Sequence, residues 1–280
     1  ARTRVVAELT DRPARGAINL ARDSGTGVGV IRGLADIGVL DAVELSDDAP
    51  LLQPDPRLPR PKLSEDQADA AADLVAKTQN GDPSVTLLDG VTGAGKTEVY
   101  FEAVAAALEA GKQVLVLLPE IALTAQFLDR FEARFGTAPQ EWHSDVPRAR
   151  RRRVWRAVAD GRARVVAGAR SSLFLPFQDL GLIIVDEEHD LSYKQEDGVV
   201  YHARDMAVVR GRLQNAPVIL VSATPSLETT ANVEAGRYDM LHLPARHGGA
   251  DLPAISVVDL RRDSPARNCW ISPPLKQALA

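Results

Sequence analysis

Apolar residues along the 280-residue chain follow two rhythms. Short apolar runs occupy residues 85–88, 114–118, 165–167, 182–185 and 218–221. None of them alternates with polar residues, so each predicts a strand buried on both faces. Between the runs the spacing turns helical, over residues 98–109 and 123–135. A further helix is predicted over 65–77, with Ser64 as its cap. Strands of this kind separated by helices predict a parallel α/β sheet with helices on both faces.

The first part of the chain reads differently. Residues 4–9, 16–21 and 26–37 keep helical spacing, and residues 39–40 and 43–45 form a short extended pair around Asp41 and Ala42. Three short helices and a small hairpin predict a winged-helix domain over residues 1–46. A helical bundle without a nucleic-acid role fits the same pattern equally well. Residues 47–61 hold Pro50, Pro54, Pro56, Pro59 and Pro61, which predicts an extended linker rather than a core element. The α/β lobe then spans 62–244. Residues 245–280, with an apolar stretch at 257–260 and a helix predicted over 274–280, read as the approach to a further lobe. A chain that starts at Ala1 and stops inside a predicted helix is expected to be a piece of a larger cytoplasmic protein.

Composition narrows the function classes. Hydrophobic residues make up 45% and charged residues 25%, as in ordinary globular proteins. A net charge of −5 excludes a global basic field but leaves local basic patches open. One such patch holds Arg148, Arg150, Arg151, Arg152, Arg153 and Arg156, with Trp155 inside it and Trp142 nearby. On a helix these arginines spread around much of the circumference, which reads as a solvated face. Phosphate tracking along a single strand is the competing reading. Cys269 is the only cysteine, which excludes a disulfide framework or a zinc cluster within these residues. There is no signal peptide and no apolar run of membrane length, so no membrane partner is expected.

The chemistry sits where the strands end. After residue 88 comes Gly90-Val91-Thr92-Gly93-Ala94-Gly95-Lys96-Thr97, the G-x-x-x-x-G-K-[ST] spacing between a strand and a helix. The glycines let successive backbone N–H groups curl around a triphosphate, and the helix start adds unpaired donors and a favourable dipole. Gly90, Thr92, Gly93, Ala94, Gly95, Lys96 and Thr97 are therefore candidate nucleotide-binding residues, Lys96 for the outer phosphates and Thr97 for Mg²⁺. The fourth strand ends in Asp186-Glu187-Glu188-His189. Asp186 can hold Mg²⁺ through water and Glu187 can polarise the attacking water, so Lys96, Asp186 and Glu187 are the catalytic candidates. His189 can couple this site to the fifth strand's end, where the hydroxyls of Ser222 and Thr224 can link hydrolysis to a substrate groove. Gln67 is a candidate adenine reader, because a carboxamide both donates and accepts.

Taken in this order, the motifs resemble the first half of the superfamily 2 helicases. Residues 90–100 (GVTGAGKTEVY), 118–126 (LPEIALTAQ), 182–195 (LIIVDEEHDLSYKQ), 201–205 (YHARD) and 222–227 (SATPSL) resemble, more narrowly, the PriA family of primosomal replication-restart helicases. That resemblance implies a RecA-like P-loop sheet preceded by a winged-helix domain. It implies an ATP-dependent 3′→5′ DNA helicase of the cytoplasm and nucleoid, acting at stalled or branched forks. It assigns Gln67 to the adenine and Pro119, Glu120, Arg170 and Ser171 to the DNA backbone. It assigns Tyr193, Lys194, Tyr201, His202 and Arg204 to an aromatic-rich loop that relays DNA contact to the ATP site, beside the coupling residues His189, Ser222 and Thr224. Rings stack on unpaired bases without reading sequence, while cations track phosphates. The implied partners of this monomer are branched, forked or single-stranded DNA, primosome proteins and single-stranded DNA-binding protein. Zinc is expected only in a C-terminal part outside these 280 residues, as is the arginine that completes hydrolysis.

Some positions depart from the family pattern. Val199 and Val200 replace more polar or aromatic residues, which leaves Tyr193 and Tyr201 as the expected stacking rings. His143-Ser144-Asp145 stands where the family has H-S-G. Gly168-Ala169-Arg170 stands for G-T-R, so a hydroxyl is lost from an expected phosphate contact. These departures motivate a second reading, a DNA-binding primosome scaffold with little or no unwinding activity.

Overall fold

The computed structural model describes residues 1–9, 17–41, 51–119, 125–246 and 255–279. Three helices lead, α1 (Arg2–Leu9), α2 (Ala17–Asp23) and α3 (Val28–Asp36), closed around a small core of Val5, Leu20, Ala21, Ile31 and Leu34. The extended segment expected at 43–45, on which a winged helix depends, lies outside the described residues. Alternating elements follow: α4 (Glu65–Asn80), β1 (Val85–Gly90), α5 (Lys96–Glu109), β2 (Gln113–Leu117), α6 (Ala125–Phe135), β3 (Gln140–Trp142), α7 (Arg148–Ala159) and β4 (Val165–Gly168). A 3₁₀ turn at Arg170–Phe174 leads into β5 (Leu180–Val185), and a second at Leu191–Tyr193 into β6 (Lys194–Gln195) and β7 (Tyr201–His202). The chain closes with α8 (Ala203–Gln214), β8 (Val218–Ser222), α9 (Leu227–Glu234), β9 (Asp239–Leu243) and α10 (Pro273–Ala278).

Seven strands pair in parallel in the order β3-β4-β2-β5-β8-β1-β9, and β6 and β7 form a separate antiparallel ribbon. Successive residues of each central strand turn to opposite faces, and both faces are covered. Val114, Val116, Leu182, Ile184 and Val221 pack with α4, α5 and α6; Leu115, Leu117, Ile183, Val185 and Leu220 pack with α7 and α8. That double burial is why the strands read as unbroken apolar runs. Gly90 ends β1 under tight packing: a Cβ there would lie 2.9 Å from the Leu243 Cβ of β9.

Two edge strands, β3 and β9, escape the sequence pattern. β3 has three residues, and β9 exposes Asp239, Met240 and His242, so neither carries a two-face apolar run. The described part of the proline-rich segment lacks helix and strand and turns at residues 56–58, and residues 51–63 are docked rather than free. Asp55 N–H donates to the Phe135 carbonyl at 2.9 Å, and Gln53 Nε2 to the Arg162 carbonyl at 3.1 Å. Buried Arg134 donates to the carbonyls of Pro56 (3.2 Å) and Leu58 (3.1 Å) and lies 3.4 Å from Glu102. Proline holds φ near −65° and donates no N–H, so the segment's carbonyls are left for side chains of the lobe to bind. The strap ends at Leu63, against the core beside α4.

Candidate nucleotide site and its couplings

Strand order places β5, β8 and β1 side by side, so their carboxyl ends bring residues from positions 89, 186 and 222 onto one edge of the sheet. Open parallel sheets bind ligands at such an edge, where strand order reverses. After β1 the chain turns through Gly93 (φ 84°) and Gly95 (φ 79°), both in the left-handed region that glycine enters without cost. Gly95 is the N-cap of α5 and contributes no capping side chain, so the first N–H groups of the helix remain open for an anion. Lys96 begins the helix, with Nζ 2.7 Å from the Gly90 carbonyl. Burial lowers its pKa, opposed by the nearby carboxylates of Glu187, Asp186 and Asp89.

Across a cavity of about 570 Å³ lie the acids, with Thr97, Gln67, Arg130 and the strap residues Pro61 and Leu63 completing the walls. Asp186 Oδ2 accepts from the Tyr100 hydroxyl at 2.8 Å, and Oδ1 accepts from the Glu187 N–H at 3.0 Å. Burial raises the Asp186 pKa, and the tyrosine hydrogen bond works against that rise. Tyr100 was not among the sequence candidates; its signal was its place one helical turn beyond Lys96. Glu187 has φ 48°, a left-handed conformation that costs a non-glycine residue of order 1 kcal/mol. Strain of that kind clusters at functional positions in proteins generally.

Glu188 is the second residue that sequence reasoning passed over. It is wholly buried, and one carboxylate receives four donors: Ser226 N–H (2.7 Å), Ser226 Oγ (3.0 Å), Thr229 Oγ1 (2.9 Å) and Arg204 Nη1 (3.1 Å). Its own N–H donates to the Val221 carbonyl at 3.0 Å. The strained Glu187 therefore sits between two anchored neighbours. His189 Nδ1 lies 2.8 Å from Ser222 Oγ and 3.7 Å from Glu187 Oε2, and Ser222 Oγ accepts from the Thr224 N–H at 3.0 Å. The ends of β5 and β8 are thus joined by side chains of His189, Ser222 and Glu188.

The residues expected to contact DNA fall into unequal positions. Tyr193 is not a free stacking ring: it is 1% exposed, its hydroxyl 2.6 Å from the Asp186 carbonyl and 3.0 Å from that of Leu117. The ring fills the core under the β2 and β5 tips because a large apolar ring gains more there than in water. Arg204 is also buried, in its pair with Glu188. Pro119 is buried, and Glu120 lies outside the described residues. Arg170 Nη1 spans the carbonyls of Ser192 (3.1 Å) and Lys194 (2.8 Å), and Ser171 is exposed. Lys194 is exposed and paired with Glu196 at 2.8 Å. Tyr201 is half-buried and edge-on to exposed Phe174, ring centres 5.3 Å apart. His202 precedes α8 with its Nδ1 buried and without a hydrogen bond, and burial lowers its pKa.

Gln67 is buried at the cavity wall, but its carboxamide is engaged. Oε1 accepts from the Ser64 N–H at 2.9 Å, completing a capping box, and Nε2 donates to the Ala94 carbonyl at 2.8 Å. As it stands, Gln67 joins the start of α4 to the phosphate loop.

A family model for DEAD/DEAH box helicases matches residues 64–233, which include the loop, the acids and the β8 tip. The chain belongs to the DEAD/DEAH box helicase family. It is also similar to the replication restart protein PriA of Rickettsia felis, 47% identical over 219 residues, covering 78% of this chain and 33% of that protein. PriA of Bacillus subtilis is 42% identical over 199 residues, covering 71% of this chain and 25% of that protein. The chain therefore spans about a third of the length of the first of these relatives. Among solved structures, RecG bound to a three-way DNA junction shares the helicase fold with a TM-score of 0.50 at 22% identity, over 71% of this chain and 25% of that one. A DEAD/DEAH box helicase domain binds a nucleotide, and Lys96 and Asp186 line the same cavity.

Proposed function

We propose that this chain is the ATP-binding lobe of a replication-restart helicase, one that couples ATP hydrolysis to 3′→5′ unwinding of branched or forked DNA. The observation that carries the reading is the convergence of Lys96 and Thr97 with Asp186 and the strained Glu187 around one cavity. The similarity to replication restart proteins from two bacteria supports the substrate and the process. In this reading Lys96 binds the outer phosphates, the loop N–H groups bind the inner ones, and Glu187 orients the attacking water and takes its proton. Phosphoryl transfer needs little beyond such positioning and charge stabilisation.

The donor set suits a magnesium ion that arrives with the nucleotide. Thr97 and Asp186 border the same cavity, and among the described residues no group of three His, Cys, Asp or Glu side chains offers a metal cage of protein alone. Thr97 and Asp186 are the residues that would hold it, and once bound it would neutralise phosphate charge. The lobe spans residues 62–244, with residues 1–46 a separate module. Primosome proteins and single-stranded DNA-binding protein are the partners this reading predicts.

Lys96→Ala tests it. Titration with a fluorescent ATP analogue should show at least tenfold weaker binding, and DNA-stimulated phosphate release should fall to background. Wild-type hydrolysis in the variant would refute the reading. Unchanged restart in cells carrying the variant would leave the scaffold role instead.

A further inference from the structure

The arginine run covers much of the circumference of α7, as its sequence suggests, and the buried face of the helix shows which arginines stand opposite the sheet. Val154, Ala157 and Val158 are buried against the sheet. At 100° per residue, Arg148, Arg152 and Arg156 follow one another at i, i+4 and i+8 on the opposite side. All three are exposed, about 6 Å apart along a stripe of about 12 Å. Trp155, 48% exposed, lies beside them. Arg150, by contrast, is paired with Glu141 at 2.7 Å.

We propose that this stripe is a docking surface for the phosphodiester backbone of DNA, separate from the motif residues at the strand tips. The inference rests on the nucleic-acid reading above and extends it to a surface outside the nucleotide site. Its first support is an energetic conflict. Like charges at i, i+4 disfavour a helix. Arginines in the first turn, with no acid beside them, also oppose the helix dipole. Among the described residues no carboxylate pairs with Arg148, Arg152 or Arg156, so none of them offsets the cost. A helix that breaks its own local rules without compensation is shaped by something it binds.

Position and chemistry select the partner. α7 starts just after β3, whose Trp142 pairs with Gly168, and Arg170 follows two residues on. The stripe therefore begins at the sheet edge that carries the nucleotide cavity and runs away from it along the flank. Duplex DNA carries one charge per about 1.7 Å of axis, so a stripe of this length meets several phosphates. The exposed indole beside the cations suits stacking on a base, which an acidic peptide does not provide.

The test compares the full chain with its R148A/R152A/R156A variant. Labelled oligonucleotides of about 20 nucleotides, single-stranded and duplex, are titrated at salt between about 50 and 200 mM. Each lost phosphate contact should flatten the plot of log K against log salt by about 0.7 for single strands or 0.9 for duplex. The triple variant should therefore lose about 2–3 from the slope, while R150A keeps the wild-type slope. The variant should bind the ATP analogue as wild type does and melt no lower, since the substitutions relieve repulsion. Equal slopes for wild type and triple variant overturn the proposal and leave the helicase reading intact. Salt-insensitive or absent binding by the wild-type chain overturns both. Arginine-dependent binding of polyglutamate with an unchanged DNA slope would make the stripe a protein-docking face, and the proposal would fall.

Discussion

Asp186 holds the sharpest conflict between folding and chemistry. Its carboxyl is buried, which raises its pKa, yet its proposed role as a magnesium ligand calls for the charged form. A carboxyl whose folded pKa is raised gives its full contribution to stability below the ordinary value of 3.8 and loses it as the pH rises through the folded value. At neutral pH the charge therefore costs the nucleotide-free fold some stability. Asp186→Asn should raise the melting temperature by roughly 2–4 °C at pH 7 while removing ATP hydrolysis, read by thermal melting and phosphate release. The gain should shrink as the pH is lowered through the raised folded value, where the wild-type carboxyl takes up its proton. A lower melting temperature for the variant at pH 7 would show that burial does not govern this group. Glu188 poses the complementary case. Glu188→Gln keeps the shape but removes the charge opposite buried Arg204, and should cost about 1–3 kcal/mol in urea unfolding. Because Glu188 anchors the backbone beside Glu187, the variant should also lower kcat while leaving nucleotide affinity within twofold.

Among the elements, the strap changes the picture most. Five prolines predict a linker, and a linker tolerates substitution. Here Arg134 of α6 instead holds strap carbonyls while paired with Glu102 of α5, both side chains under 10% exposed. Arg134→Ala leaves Glu102 buried with only the exposed Arg60 beside it, and should cost about 3–5 kcal/mol by chemical denaturation. The strap also brings Pro61 and Leu63 to the cavity wall. A chain beginning at residue 51 should therefore bind the ATP analogue as tightly as the full chain, because α1–α3 keep a core of their own. A chain beginning at residue 62 should bind it more weakly and melt earlier. Equal affinity for the two truncations would show that the strap is only a linker.

For the molecule as a whole, the nucleotide is the expected organiser. The β1 loop, the β5 tip and the strap all border the cavity, so ATP bound there at a hundred times its Kd should stabilise the lobe by about 2.7 kcal/mol. The small helical core, which shares no residue with the lobe's two cores, should gain nothing by hydrogen exchange. Protection of α1–α3 on ATP addition would mean that the two units are coupled.

Much of this was open to reading from the chain alone. The five central strands are apolar on both faces, and that requires a covered parallel sheet wherever they pair. The phosphate loop is local: glycine torsions, a lysine and a helix start lie within eight residues, so residues 90–97 were legible without the fold. The proposed catalytic acids, Asp186 and Glu187, come directly after a single strand, so their position too is a local feature. What depended on distant partners was not. Tyr193 looked like a stacking ring until the β2 and β5 tips closed over it, and Gln67 looked free until the Ala94 carbonyl met it. β9 was missed because an edge strand needs no apolar run. The arginines became a stripe only when Val154, Ala157 and Val158 decided which way α7 faces. Local covalent spacing determined the phosphate chemistry. Burial, which depends on residues far apart in the chain, decided which charged and aromatic side chains remain free to use it.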